Sequence, residues 1–330
     1  YWVLIYTIGI VLNALSAESL VADPVNVEFV LKSCLEKGDA TKFLAFVTGN
    51  GSAFAPVAIW RGRRKIVVPS FSPKRLEGFV RLFATHSATM ARLLRLRVGR
   101  APFSLWPYLT SYTFDSICET TFNINLHSQE VPNSYLHDLD EASKLVAQRM
   151  VSPWLYSNAV YRFTLRCHRQ THKSHKSTDV HVQYITPLFC LCGLKIIYLS
   201  SASGENSTVF VDILGAQRRS GRLSAAEVCE EALILLLAGT DTSAVGGAFT
   251  ALMLARHPQV QEKVYKEIRE VFGDSDRPMS HAELPKLRYL ECVIKETLRL
   301  YPPAPVVVRK VDRSITLRKL KLPFYMTSLA

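Results

Sequence analysis

Cysteine is scarce and unpatterned in this chain: seven in 330 residues, at Cys34, Cys118, Cys167, Cys190, Cys192, Cys229 and Cys292. An odd number without framework spacing excludes a disulfide-stapled scaffold and favours free thiols in a reducing compartment. Long uninterrupted apolar runs are missing as well. Residues 1–15 are apolar but shorter than a membrane span, and they lack the positive flank of a signal peptide. With Val3, Ile5, Thr7 and Val11 β-branched, that stretch reads as a strand. Opening on Tyr1 rather than Met, the chain is expected to begin inside a longer protein. Negative charge is in short supply too, with 28 acidic against 40 basic residues and a formal net charge of +12. An acidic partner or an anionic surface follows. The basic residues are scattered among apolar runs, with no zinc-finger spacing and no aromatic-rich RNA motif, so no nucleic acid is expected as a partner.

What is present is a chain 48% hydrophobic and 21% charged, enough for one large core or two domains. Its most organised stretch runs from Ser224 to His257. Ser224 followed three residues later by Glu227 is a capping box, which predicts a helix start. An acidic first turn (Glu227, Glu230, Glu231) leads into apolar runs at 233–237 and 248–254, and Pro258 marks the stop. Between the runs sit Gly239, Thr240, Asp241, Thr242 and Ser243, then Gly246 and Gly247. Each glycine costs a helix interior roughly 1 kcal/mol relative to alanine, and Thr, Ser and Asp compete for backbone hydrogen bonds. The plain reading is a bend in a core helix. The functional reading is a local opening: Gly239 removes a side chain so that something flat can approach, Thr242 offers a hydroxyl, and Asp241 places a titratable carboxyl beside it.

Upstream, Asp23-Pro24 starts a short helix through Lys32, and residues 44–59 read as a loop. Trp60 and Arg64 share a face if helical, where they form either a basic surface with a packed indole or a pair reaching toward a buried anion. Residues 79–96 are an amphipathic helix candidate. Residues 114–120 read as scaffold, with Cys118 a core thiol. His168, His172 and His175 could make a metal face, but the Lys and Arg between them favour a solvated one. In residues 184–203 an apolar run is broken by Pro187, Gly193 and Lys195; it fits neither a membrane span nor a periodic element, and reads as an anomalous insertion such as translated intron. Beyond it, His257-Pro258 restarts a helix that runs to Phe272, and Ser280 with Glu283 makes a second capping box. Glu296 and Arg299 can pair at i, i+3, and their apolar flanks predict that the pair is buried.

Taken in order, these motifs resemble the cytochrome P-450 superfamily. Its oxygen-binding helix reads Ala or Gly, Gly, any residue, Asp or Glu, Thr, then Thr or Ser, as Ala238 through Ser243 do. Trp60 and Arg64, followed by Pro69 and Phe71, resemble its Trp-x-x-x-Arg and Pro-x-Phe. Glu296-Thr297-Leu298-Arg299 resembles its Glu-x-x-Arg motif, and Val306 to Arg309 its pocket strand. Residues 114–120 are similar to the insect-rich four-family clan, and the resemblance covers roughly residues 20–182 and 208–318. It implies a mainly α fold with a small β region: one partial domain over 1–330, with the insertion at 184–203 and a divergent tail at 319–330.

The resemblance further implies a haem monooxygenase that inserts one oxygen atom of O2 into an apolar small molecule, with electrons from NADPH through a reductase. The location implied is the cytoplasmic face of the endoplasmic reticulum membrane. Thr242 and Asp241 would be catalytic; Trp60, Arg64 and Arg309 would hold haem propionates, and Gly239 would leave room for the ligand. Glu296 and Arg299 would be structural, while Arg61, Arg63, Lys65, Lys74 and Arg75 would offer a basic face to the reductase. Two departures qualify this. The Phe-x-x-Gly-x-x-x-Cys loop that supplies the iron ligand is not found, so no metal ligand carries over and the fold is expected to be incomplete and inactive by itself. Ala238 stands where many four-family members carry the Glu that esterifies haem, so no covalent attachment is expected. The alternatives are a non-catalytic pseudoenzyme or fragment, and a helical hydrophobic-ligand or membrane-associated protein without haem.

Overall fold

A computed structural model describes residues 18–38, 41, 48–132, 134–152, 155, 157, 160–161, 210–275, 277–311, 314–317, 320–322 and 327–329. The opening strand reading, the histidine-rich segment beyond residue 161 and the 184–203 insertion lie outside the described residues. The described helices are α1 (Pro24–Ser33), α2 (Val57–Val67), α3 (Pro73–Arg95), α4 (Trp106–Phe122) and α5 (Ser134–Val151), then α6 (Phe210–Arg219), α7 (Ala225–Leu237), α8 (Ser243–Arg256), α9 (Pro258–Phe272) and α10 (Arg288–Leu300). Strands β1 (Glu18–Leu20), β2 (Val308–Lys310), β3 (Ile315–Leu317), β4 (Leu320–Leu322) and β5 (Thr327–Leu329) are three residues each. A mainly helical fold with a small β region is therefore what forms.

Local chemistry sets the helix ends. Asp23 caps α1, its carboxylate accepting from Asn26 N–H at 3.0 Å, and Pro24 fits the first turn where no N–H is needed. Ser224 and Glu227 form the complete capping box at α7. His257 ends α8 and Pro258 opens α9. The second box, Ser280 with Glu283, caps a 3-10 turn, His281–Lys286. The carboxylate of Glu267 on α9 then accepts from the N–H groups of Tyr289 and Leu290 at 2.7 and 2.9 Å, which caps α10 from outside and locks the two helices together.

The main core lies where α4, α6 and α7 meet. Phe114, Cys118 and Phe122 recur every four residues along α4, and Val228, Ala232 and Leu236 do the same on α7; Phe210, Val211 and Leu214 of α6 fill the space between. Each large side chain fully buried there contributes roughly 1.5–3 kcal/mol. A smaller core joins α1 to the strands through Val21, Val30, Cys34, Val311 and Ile315. In the sheet the order is β1-β5-β2, with β5 parallel to β1 and antiparallel to β2. The tail expected to diverge thus supplies the middle strand.

Candidate functional site

The site is built on the long axis from α7 to α8. Among the described residues this is the one helix, Ala225–Arg256, long and apolar enough to cross a membrane. It packs against α4, α6 and α10, and 44% of its most apolar window is buried. Its two halves are joined by a turn of π-helix, Ala238–Thr242, at the cluster of weak helix formers. Such widened turns free backbone carbonyls, which then need other donors. The Thr113 hydroxyl of α4 lies 2.9 Å from both Leu109 O and Thr240 O, so its single proton is shared between its own helix and the widened turn. Thr242 donates its hydroxyl to Ala238 O at 2.6 Å.

Gly239 does not leave the room expected of it. A Cβ there would come within 2.7 Å of Ile117 Cδ1 and Cγ1, so its missing side chain is replaced by α4 packed directly against the turn. Open space lies elsewhere, on two sides. Ala238, Thr242 and Ser243 are exposed on one. On the other, Thr240 and Asp241 line a cavity of about 300 Å³ together with Trp106, Thr110 and Ser111 of α4 and Asp140 of α5. Burial, and then the negative charge of Asp140, push the Asp241 carboxyl above its usual range. Asp140 itself pairs with Lys144 at 2.6 Å.

Trp60 and Arg64 meet as their spacing on α2 predicts, the guanidinium carbon 5.4 Å over the indole. Arg64 is exposed and Trp60 half-buried. Arg309, on β2, faces Lys37 across an antiparallel bridge, so two cations share one side of the ladder. Burial lowers the proton affinity of both, and Arg309 lowers that of Lys37 further. Arg309 Nε is buried without a hydrogen-bond partner, and its Nη1 reaches only Val308 O at 3.1 Å. Half-buried cations of this kind suit the carboxylates of an anionic group. Residues fit to receive haem propionates are thus present on α2 and β2, with Lys37 missed at the sequence level because its partner lies 272 residues away.

Two expectations are corrected. Glu296 and Arg299 form a bidentate pair, both contacts 2.7 Å, yet the side chains are 56% and 66% exposed rather than buried. Leu300, one turn beyond Glu296 on the same face of α10, is exposed as well. Arg63 is not part of a basic surface. It is 5% exposed and reaches Glu227, Glu230 and Glu231 of α7 at 3.1, 2.8 and 3.1 Å, with its Nη1 also donating to Asn50 O at 2.5 Å. Ser52 donates its N–H and hydroxyl to Glu231 at 2.9 and 2.5 Å. Two adjacent glutamates entering an apolar helix were the signal for a buried cation. Arg61 and Lys65 are exposed, while the side chains of Lys74 and Arg75 lie outside the described set.

A long core helix opened by one π turn, with a carboxyl-bearing cavity on one side and an indole-guanidinium pair upstream, defines a mainly helical domain with a small β region. The Cytochrome P450 family profile matches residues 24–324. Relatives include cytochrome P450 4d2 of Drosophila melanogaster, 28% identical over 319 residues, or 91% of this chain and 63% of that protein. Cytochrome P450 4V2 of Pongo abelii is 32% identical over 298 residues, 87% of this chain and 57% of that protein. Cytochrome P450 4c21 of Blattella germanica is 28% identical over 92% of this chain and 62% of that protein. The chain belongs to the cytochrome P450 family. It spans 57 to 63% of the length of these relatives.

Proposed function

We propose that the chain is the larger part of a haem-dependent monooxygenase acting on an apolar small molecule, with electrons delivered from NADPH by a reductase at the cytoplasmic face of the endoplasmic reticulum. The observation that carries this reading is the widened turn, with Thr242 on an open face and Asp241 in a cavity on the other side. Haem, when bound, supplies O2 activation. Trp60, Arg64 and Arg309 hold its carboxylates. Thr242 offers a hydroxyl on the open face. Asp241, a carboxyl that lines the cavity beside the turn, supplies protons. Arg61 and Lys65 contribute positive charge for an acidic reductase.

Among the described cysteines, Cys118 is unsuited to serve as an iron ligand. Cys34, Cys118 and Cys229 are buried and Cys292 is exposed on α10; burial pushes the Cys118 thiol strongly up, which keeps it neutral. A neutral buried thiol is a poor source of the thiolate that this chemistry uses.

Titrating the purified full chain with haemin, followed by the Soret absorption, tests the reading. Saturable binding is expected, weakened roughly tenfold in Arg64→Ala, the loss of one charge-assisted contact of about 1.5 kcal/mol. A titration with no saturable component, or one indifferent to Arg64, would overturn it.

A further inference from the structure

Between Glu77 and Asp115 the chain holds no acidic residue, yet it places five arginines there, Arg81, Arg92, Arg95, Arg97 and Arg100. Four of them gather at the turn that joins α3 to α4. Arg92 pairs with Glu130, whereas Arg95 and Arg100 are exposed and meet no carboxylate among the described residues. The same turn holds apolar side chains out in water: Leu96 at 58% exposure, Phe103 at 43% and Val98 at 81%, the highest value for a large apolar residue among those described.

Hydrogen bonds fix this shape. Arg97, Val98 and Arg100 donate their N–H groups to Leu94, Arg95 and Arg97 O at 2.9, 3.3 and 3.1 Å, and Gly99 takes the φ of 73° that folds the tip back. Arg97 braces the turn from the side. Its Nε donates to the Tyr108 hydroxyl at 2.6 Å, and its guanidinium carbon lies 5.8 and 6.0 Å from the Phe103 and Tyr108 rings, which meet edge-on at 5.6 Å.

One kind of surface answers both features. At an anionic lipid interface an apolar tip enters the acyl boundary while the arginines beside it stay at the level of the phosphates. An acidic protein would answer the arginines, but it would also need a pocket shaped to Leu96 and Val98, whereas a fluid interface takes a projecting tip of any shape.

We propose that the turn over residues 95–103 is a membrane contact, in which Leu96, Val98 and Phe103 enter an anionic lipid surface and Arg95 and Arg100 bind its headgroups. Arg97 is the brace that sets the angle of the tip. The contact deepens the membrane location in the reading above, rests on that part of it, and needs no haem.

Flotation of the purified full chain with phosphatidylcholine vesicles containing about one-third phosphatidylserine tests this. Binding is expected, and it should weaken as salt rises. Arg95→Gln combined with Arg100→Gln is expected to weaken it about twenty-five-fold, about fivefold for each charge lost near the surface. Val98→Asp should lose most of it with every arginine still present. Lys263→Gln combined with Lys266→Gln takes the same charge from the exposed side of α9 and should leave binding unchanged. All five side chains are exposed, so the urea midpoint is expected to stay in place in each variant. Undiminished binding in either turn variant, equal loss in the α9 variant, or equal binding to phosphatidylcholine alone would overturn the proposal. Capture of the chain by soluble polyglutamate without vesicle binding would assign the turn to an acidic protein and overturn it too. Vesicle binding by a chain that takes up no haemin upholds the contact and sinks the haem reading, while haemin uptake without vesicle binding does the reverse.

Discussion

Arg63 carries the densest electrostatics among the described residues, one guanidinium held by three carboxylates from α7. Replacing a buried charge that has partners leaves those partners uncompensated, so Arg63→Met is expected to cost about 3–5 kcal/mol in urea unfolding, with Glu231→Gln restoring part of it. Gly239 makes a second prediction. Gly239→Ala drives a methyl into Ile117, and overpacking of this kind costs about 1–3 kcal/mol; Ile117→Ala in the same chain removes both atoms in the clash, so the two substitutions together should cost less than the sum of their separate costs. Asp241 makes a third. Its folded pKa lies above the unfolded one, so between the two the folded state keeps a proton that the unfolded state has released, and stability falls as pH rises through that window. Urea midpoints measured upward from about pH 4 should show this slope in the wild type and lose it in Asp241→Asn. At this scale Trp60 with Arg64 was legible, because helical spacing alone brings residues four apart together. The partners of Arg63 were not, because they lie 164 to 168 residues away and sequence says nothing of which face turns inward.

Helix ends were the most readable elements, since both members of a capping box sit within four residues. Ser224→Ala is expected to lower stability by about 1 kcal/mol, measured by thermal unfolding, because the Glu227 N–H then starts α7 without an acceptor. The 3-10 turn at His281–Lys286 behaves differently with acid. Arg277 and the Ser280 N–H hold the Glu283 carboxylate down at about 2. Its contribution is therefore complete above the ordinary carboxylate range and disappears as pH falls toward 2. Strand partners were beyond sequence reasoning. Three-residue strands carry almost no periodicity, and β5 finds its place between β1 and β2 by pairing residues 327–329 with residues 18–20.

Across the whole molecule, burial is uneven. The α4–α6–α7 core is closed, while Leu252 on α8 and Ile294, Leu298 and Leu300 on α10 stay open to solvent at 37 to 47% exposure. Apolar side chains grouped on packed helices promote association. Leu252→Lys combined with Ile294→Glu should therefore shift sedimentation toward the monomer without lowering the unfolding midpoint. The expected burial of Glu296 and Arg299 failed on another side of α10. Their apolar neighbours in sequence turn toward other faces of the helix, so flanking residues did not say which way the pair points.

The π turn also sets a phase. Each α-helical residue advances the side chains by about 100°, and a wider turn absorbs one more residue without passing that rotation on. Everything from Ser243 to Arg256 is thus aimed by five residues, Ala238–Thr242. Deleting Ala238 would let the two halves join as one regular helix with Ala244, Val245 and Phe249 keeping their present aim, and would close the widened turn. The same deletion in a regular stretch of α7 would rotate the second half of the helix by about 100°, so the turn is the one place along this axis where a residue can be lost without turning half the core.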